Sequence, residues 1–365
     1  MRFAPFNEPF NLRSLQELFN ISVGGDIEKG KVSNIKTDIF CYPIIGNALT
    51  NGGLYGYTDS WKQNNSITVT GRGEIGIAVE RPYKYYPIVR LLTLKPKVKL
   101  DLKYFECLIN SHRILNESTG VPQLTTPQIG KQKYLIVAYE EQRVIGNLFR
   151  KIDERIVTQN KIIEEYQTLK NCIIDAIILK SRKIETCKIN KIIEEYSVKT
   201  TINNEYPVLS STASGIYFQN EYFNKEAASE NTTGYKCVPN GYCTYRSMSD
   251  TGRFYFNMQN ITDVGIVSPA YPVFSVKEDS ALFLVSVLNR DKNVIKEILK
   301  LKAGGTRFSL PFKKLVELEI PWPDHQTRKH FMKIIRNMIQ KIDLEQKILA
   351  KYIDQKNYLL NNMFI

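Results

Sequence analysis

The string Gly71-Arg72-Gly73-Glu74-Ile75-Gly76 has the G-x-G-x-x-G spacing with which a dinucleotide-binding turn lets its backbone approach a pyrophosphate. That chemistry needs a helix N-terminus directly behind the glycines and an acidic residue about 20 positions on to hold a ribose hydroxyl. Here Ile77-Ala78-Val79 is strand-like, Pro82 comes too early for a helix, and Leu91-Leu92-Thr93-Leu94 stands where the acid should be. The stretch therefore reads as a strand, a glycine-rich turn exposing Arg72, and a second strand. Gly24-Gly25 with Gly30 is not followed by the Gly-Lys-Ser/Thr of a P-loop. His112, His325 and His330 are far apart and build neither a Ser-His-Asp set nor a His-Glu-x-x-His helix. Cys41, Cys107, Cys172, Cys187, Cys237 and Cys243 lack the C-x-x-C spacing of a zinc site. No Asp/Asn-Pro-Pro-Tyr/Phe of an amino-methyltransferase appears, and no nuclease-like carboxylate cluster. The chain is expected to be non-catalytic, with no metal or cofactor of its own.

The elements that would position binding residues are plainer. Heptad-spaced positions read Ile145, Phe149, Ile152, Ile156, Gln159, Ile163, Tyr166, Lys170, Ile173, Ile177, and again, 186 residues later, Phe331, Ile335, Met338, Ile342, Glu345, Leu349, Tyr352, Lys356, Leu359, Met363. Apolar residues every 3.5 positions keep one face of a helix turned to a partner helix. Polar residues interrupt both stripes at the same rungs, Gln159 with Glu345 and Lys170 with Lys356, which marks a duplication and fixes register. Each stripe comes after a mixed segment of about 140 residues, so the order is domain, helix, domain, helix. The segments echo one another: Tyr42-Pro43-Ile44-Ile45 with Tyr206-Pro207-Val208-Leu209, Tyr86-Pro87-Ile88-Val89 with Tyr271-Pro272-Val273-Phe274, and Gly120 with Gly305. The hexapeptide Lys161–Tyr166 recurs at Lys191–Tyr196, where it better matches Leu15-Gln16-Glu17-Leu18-Phe19, because each precedes strand-like sequence.

A formal charge of +13 favours nucleic acid as a partner, since Lys and Arg that neutralise phosphates release counterions. The N-terminal residues lack the apolar run of a signal peptide and no stretch approaches a membrane span, so a cytoplasmic protein with free thiols and no membrane contact is expected.

Pro43-Ile-Ile-Gly-Asn47, Asn51-Gly-Gly-Leu-Tyr-Gly56, Gly71 to Gly76 and Ser118-Thr-Gly-Val-Pro-Gln123, in this order of parts, resemble the specificity subunit of a type I restriction-modification system. Tyr242 to Asp250, Gly265 to Pro272 and Gly304 to Pro311 read like a second target-recognition domain of that family. The resemblance implies an α+β fold: two mixed α/β recognition domains joined by two long helices in an antiparallel coiled coil, with pseudo-two-fold symmetry. The expected division is 1–140 and 184–323 for the recognition domains, 141–183 and 324–365 for the helices. It further implies a non-catalytic reader of double-stranded DNA that docks two modification subunits. Those partners bind S-adenosylmethionine and methylate adenine, and with restriction subunits added the assembly also translocates and cuts DNA.

In that geometry the helix pair is a ruler, and two modules about one helical turn apart read two short blocks separated by unread bases. Phosphate contacts position each module and base-edge contacts select sequence. The candidate DNA-binding residues are Tyr57, Arg72 and Gln123 in the first domain and Arg246, Arg253 and Arg307 in the second, all in turn-like segments. Arg suits guanine O6 and N7, and Gln suits adenine. Ile156, Ile163, Tyr166, Ile342, Leu349 and Tyr352 are expected to form the helix seam. A protein-interaction scaffold with a coiled-coil spacer is the alternative these residues leave open.

Overall fold

Short runs of β-branched and aromatic residues build a four-stranded antiparallel sheet twice in this chain. The computed structural model describes residues 6–112, 123–182, 185–222, 231–301 and 308–364. They fall into two units, Met1–Ile162 with Glu345–Ile365, and Ile163–Leu344. In the first unit the strand order is Phe19–Val23, Leu92–Pro96, Ser66–Val69, Ala78–Arg81. In the second it is Ile193–Glu195, Val273–Val276, Cys243–Tyr245, Phe256–Met258. Taken in chain order, the two sheets have one topology. The helix Leu102–Ser111 covers the first sheet and Ala281–Arg290 the second, burying Phe105 and Leu108 against Ile67 and Leu94, and Phe283 and Leu284 among Tyr245, Phe256 and Phe274. A two-stranded clasp precedes each long helix: Asn11–Ser14 with Lys133–Ile136, and Thr186–Lys188 with Glu319–Pro321.

The repeat extends to a smaller layer and corrects one echo. Tyr42–Ile45 pairs with Leu54–Thr58 and runs parallel to Tyr86–Pro87; correspondingly Leu209–Thr212 pairs with Gly215–Phe218, and Val208 bridges Ile266 in parallel. Tyr86-Pro87 thus matches the strand containing Ile266, whereas Tyr271-Pro272 leads into the next strand, so this similarity joins non-equivalent positions. Gly120 and Gly305 lie outside the described residues.

The two stripes are the helices Tyr139–Arg182, of 44 residues, and His325–Met363, of 39. Every seam position named from the sequence is buried or half-buried, including Ile156, Ile163, Tyr166, Ile342, Leu349 and Tyr352. Within the first unit, Lys356 Nζ lies 2.7 Å from Asp153 Oδ1 and the Arg155 guanidinium 5.9 Å from the Tyr352 ring. Gln159 Nε2 donates to Glu345 Oε2 at 2.5 Å and to the Glu345 carbonyl at 3.1 Å, both residues being buried. As residue numbers rise on one helix they fall on the other, so these segments are antiparallel. Within the second unit the Lys341 ammonium sits 5.7 Å from the Tyr166 ring in the same sense. Toward the end of the first helix the buried face moves by one residue: Ile174 and Ile178 are buried with Phe331 and Ile335, while Ile173 and Ile177 are half-buried. The sheet core there captures the side chains next to the heptad stripe.

One glycine inside the first long helix has a packing reason. A Cβ at Gly146 would run into the Asp101 carboxylate, which caps the helix Leu102–Ser111 by accepting from Tyr104 N at 2.9 Å. Arg150, one turn on, reaches Asp101 at 3.0 Å and Glu80 at 2.9 Å, fastening the long helix to the sheet edge. No helix among the described residues is long and apolar enough to cross a membrane.

Candidate nucleic-acid interface

The string Gly71 to Gly76 closes the hairpin between Ser66–Val69 and Ala78–Arg81. No helix comes directly after it, which removes the pyrophosphate site the spacing imitates. Thr70 organises the turn: its hydroxyl accepts from Ile77 N at 3.0 Å and donates to the Glu74 carbonyl, while Gly73 and Gly76 take positive φ values of 72° and 85°.

Three other segments converge on this turn. Asn47 Oδ1 accepts from Gly71 N at 2.8 Å and its Nδ2 donates to the Val89 carbonyl at 2.9 Å, so one amide joins two loops to its own. Leu124 N donates to the Gly71 carbonyl at 3.0 Å, and Arg72 pairs with Gln123 in an antiparallel bridge. Gly71 is needed because a Cβ would meet the Arg90 carbonyl oxygen. Arg90 itself is a non-glycine residue at φ 67°, a costly conformation held beside Gly71. Arg72 is half-buried, and its Nε is buried with no hydrogen-bond partner among the described residues.

The second unit repeats the arrangement with different side chains. Its hairpin Cys243–Tyr245 to Phe256–Met258 is closed by residues 246–255, which hold both Arg246 and Arg253. Leu310 N donates to the Ser247 carbonyl at 2.8 Å, as Leu124 does to Gly71, and Met248 pairs with Ser309 as Arg72 does with Gln123. Ser247 Oγ donates to the Ala270 carbonyl at 2.8 Å. Beside this loop is a cleft of about 520 Å³ lined by Gln219, Arg246, Asp250, Arg253, Tyr255 and Tyr271. Burial pushes the Tyr271 phenol above its ordinary pKa, and the charge of Arg246 acts against that shift. Arg253 donates from Nη2 to the Asn289 carbonyl at 2.7 Å and lies 5.6 Å from the Tyr255 ring; Arg246 is exposed.

Four of the six residues chosen from sequence, Arg72, Gln123, Arg246 and Arg253, thus fall in equivalent hairpin loops or on the strand that clips them. Tyr57 does not join them: it is half-buried in Leu54–Thr58, paired through its main chain with Ser33 and Pro43, toward the end of that hairpin away from Asn47. Arg307 lies outside the described residues. Nothing in the residue type of Asn47 announces the two loops its amide joins, and nothing in that of Arg90 its left-handed backbone. The histidines serve locally: His112 Nδ1 is 3.0 Å from the Ser111 hydroxyl, and His325 Nδ1 is 3.2 Å from Glu278. The described residues hold no group of three or more His, Cys, Asp or Glu that could bind a metal.

A duplicated sheet that twice presents a clipped, basic hairpin loop is what the comparisons with known proteins bear on. Residues 7–167 match the family described as the type I restriction modification DNA specificity domain. That segment resembles the DNA specificity domain of type I restriction-modification systems. A putative type I specificity subunit of Mycoplasma pneumoniae is 26% identical over 141 residues, 38% of this chain and 39% of that protein. A second from the same organism is 25% identical over 127 residues, 34% of this chain and 38% of that one. The chain therefore spans about two fifths of these relatives' own length. The fold match is wider: an S subunit of a type I system from M. genitalium aligns over 100% of this chain and 97% of its own, with a TM-score of 0.66 at 18% identity. A chain from a study of type I complex assembly and conformational transition aligns over 98% and 97%, with a TM-score of 0.54 at 8% identity. Both show that this chain shares its α+β fold with those proteins.

Proposed function

We propose that this chain is the DNA sequence-specificity subunit of a type I restriction-modification complex, a cytoplasmic, non-catalytic reader of a two-part site in double-stranded DNA. The observation that carries the reading is the repeated loop: each unit offers one hairpin with cationic side chains, held by main-chain bonds to a second segment, on the same strand framework. Rigidly held loops suit base-edge recognition, and a doubled unit suits a doubled target. In this reading residues 1–140 and 184–323 are the recognition domains, while 141–183 and 324–365 form the spacer on which two modification subunits dock. Those subunits supply S-adenosylmethionine chemistry, and restriction subunits are further partners.

Comparing DNA methylation in cells with and without the gene tests this directly. The reading requires loss of methyladenine at one bipartite motif. It also requires that the purified chain alone transfers no methyl group, and that its DNA binding weakens steeply with salt. Normal methylation without the gene, together with salt-insensitive binding to protein partners only, would make it an interaction scaffold.

A further inference from the structure

The cleft of the second unit separates its two arginines by what their guanidinium groups already do. Arg253 is held in place: the Asn289 carbonyl, in the helix that covers the sheet, accepts from its Nη2 at 2.7 Å, and the guanidinium lies 5.6 Å from the Tyr255 ring centre. Arg246 is exposed on the same cleft and has no such anchor among the described residues. The cleft is also lined by Gln219, whose main-chain N–H donates to the Val208 carbonyl at 2.9 Å and so fixes where its side chain starts. The hairpin carrying that wall, Leu209–Thr212 with Gly215–Phe218, is tied to the sheet by Asn257 Nδ2, which donates to Ser211 Oγ at 2.8 Å and to the Thr212 carbonyl at 2.9 Å. Asp250 lines the cleft as well, and a carboxylate repels phosphate while accepting from a base amino group.

We propose that Gln219 and Arg246 read base edges for the second unit from this cleft, and that Arg253 is a positioning residue that holds its wall. The proposal rests on the DNA-reading function above. It gives the second unit an Arg and a Gln facing one target, the two side-chain types that the first unit brings together at Arg72 and Gln123. Arg pairs with guanine O6 and N7 and Gln with adenine N6 and N7, so each unit can discriminate both purines.

The test uses the full chain with its modification partners. The motif methylated by the wild type defines a duplex, and competitor duplexes change one base pair at a time. Gln219→Ala and Gln219→Glu are expected to lose about tenfold or more of discrimination at one position of one block, leaving the other block and the salt slope unchanged. Arg246→Ala is expected to lose discrimination at a different position and to lower the salt slope by about one. Arg253→Ala should lower discrimination across the second unit's block with the salt slope unchanged, and Arg253→Lys should not restore it, because an ammonium cannot present a planar guanidinium to both the Asn289 carbonyl and the Tyr255 ring. Full discrimination in both blocks by Gln219→Ala and Arg246→Ala, with wild-type binding intact, overturns the assignment to the cleft. Absence of sequence-dependent binding by the wild-type complex instead overturns the DNA-reading function itself.

Discussion

Removing the carboxylate of Asp153 should unfasten the helix seam of the first unit. Asp153 Oδ2 lies 2.5 Å from Lys103 Nζ and Oδ1 lies 2.7 Å from Lys356 Nζ, while Lys103 also reaches Glu106 at 2.6 Å. The Lys103 side chain is 8% exposed and that of Lys356 28%, so both ammonium groups have given up most of their water. Breaking a buried ion pair from one side costs about 3–5 kcal/mol, because the remaining charge is stranded. Lys103 keeps Glu106, and Asp153 and Lys356 keep some solvent, which lowers the expected cost of Asp153→Asn to about 2–3 kcal/mol near neutral pH. Two units make a single unfolding midpoint ambiguous, so the measurement is amide hydrogen exchange across 139–162 and 345–363. The pH dependence has a definite sign. Burial raises the Asp153 pKa, but the hydrogen bonds and charges of Lys103 and Lys356 outweigh it and hold the carboxyl below its ordinary 3.8. The native state therefore binds fewer protons than the unfolded chain in that window. The stabilisation is present above about pH 4 and is lost as pH falls through the folded value. The gap between wild type and Asp153→Asn should close on acidification. A cost under about 0.5 kcal/mol at pH 7, or a gap that persists in acid, would refute this account of the seam.

The repeat makes three further expectations. Lys170 holds the seam position matching Lys356, yet burial, then the charge of Arg290, lowers its pKa, so Lys170→Met should cost less than about 0.5 kcal/mol whereas Lys356→Met should cost about 2 kcal/mol, read by amide hydrogen exchange of 163–182 and 345–363. Gly146→Ala gains about 1 kcal/mol of helix propensity but displaces the Asp101 cap and its bond to Arg150, so amide hydrogen exchange across 102–111 and 139–162 should show a net loss of about 1 kcal/mol or more. Deleting one heptad from both long helices in register keeps the apolar stripes opposed and shortens them by about 10 Å; the methylated motif should keep its two blocks and lose roughly three base pairs of its gap, or methylation should fail. An unchanged gap at full methylation would show that the helices are not the spacer.

The legible part of the sequence owed its clarity to periodicity. The stripes from Ile145 and Phe331 specify long helices because a 3.5-residue repeat has no other use over that length, and the hairpin around Arg72 could be read from glycine spacing and β-branched flanks. Local sequence was insufficient where tertiary packing decides. Lys-Ile-Ile-Glu-Glu-Tyr is helical at 161–166, inside the long helix, but at 191–196 it ends a 3-10 turn and becomes the strand Ile193–Glu195, because Val273–Val276 is there to pair with it. Its match with Leu15–Leu18 and Phe19–Val23 is visible in the strand-like residues downstream of each segment, and the shared strand order places both at the same sheet edge. Asn47, Arg90 and Gln219 were not legible, since each acts through a neighbour remote in sequence.

The loops that carry the candidate contacts are fastened by the main chain: Gly71 to Leu124, Arg72 to Gln123, Ser247 to Leu310, Met248 to Ser309. A peptide bond is the same whatever side chain it bears, so these fasteners are blind to the identity of most residues that project from them. Substitution at 72, 123, 248 or 309 can alter what a loop touches while leaving the loop where it was. In such a chain the target can drift through many sequences on an unchanging frame, and the cost of exploring a new one falls on recognition rather than on folding.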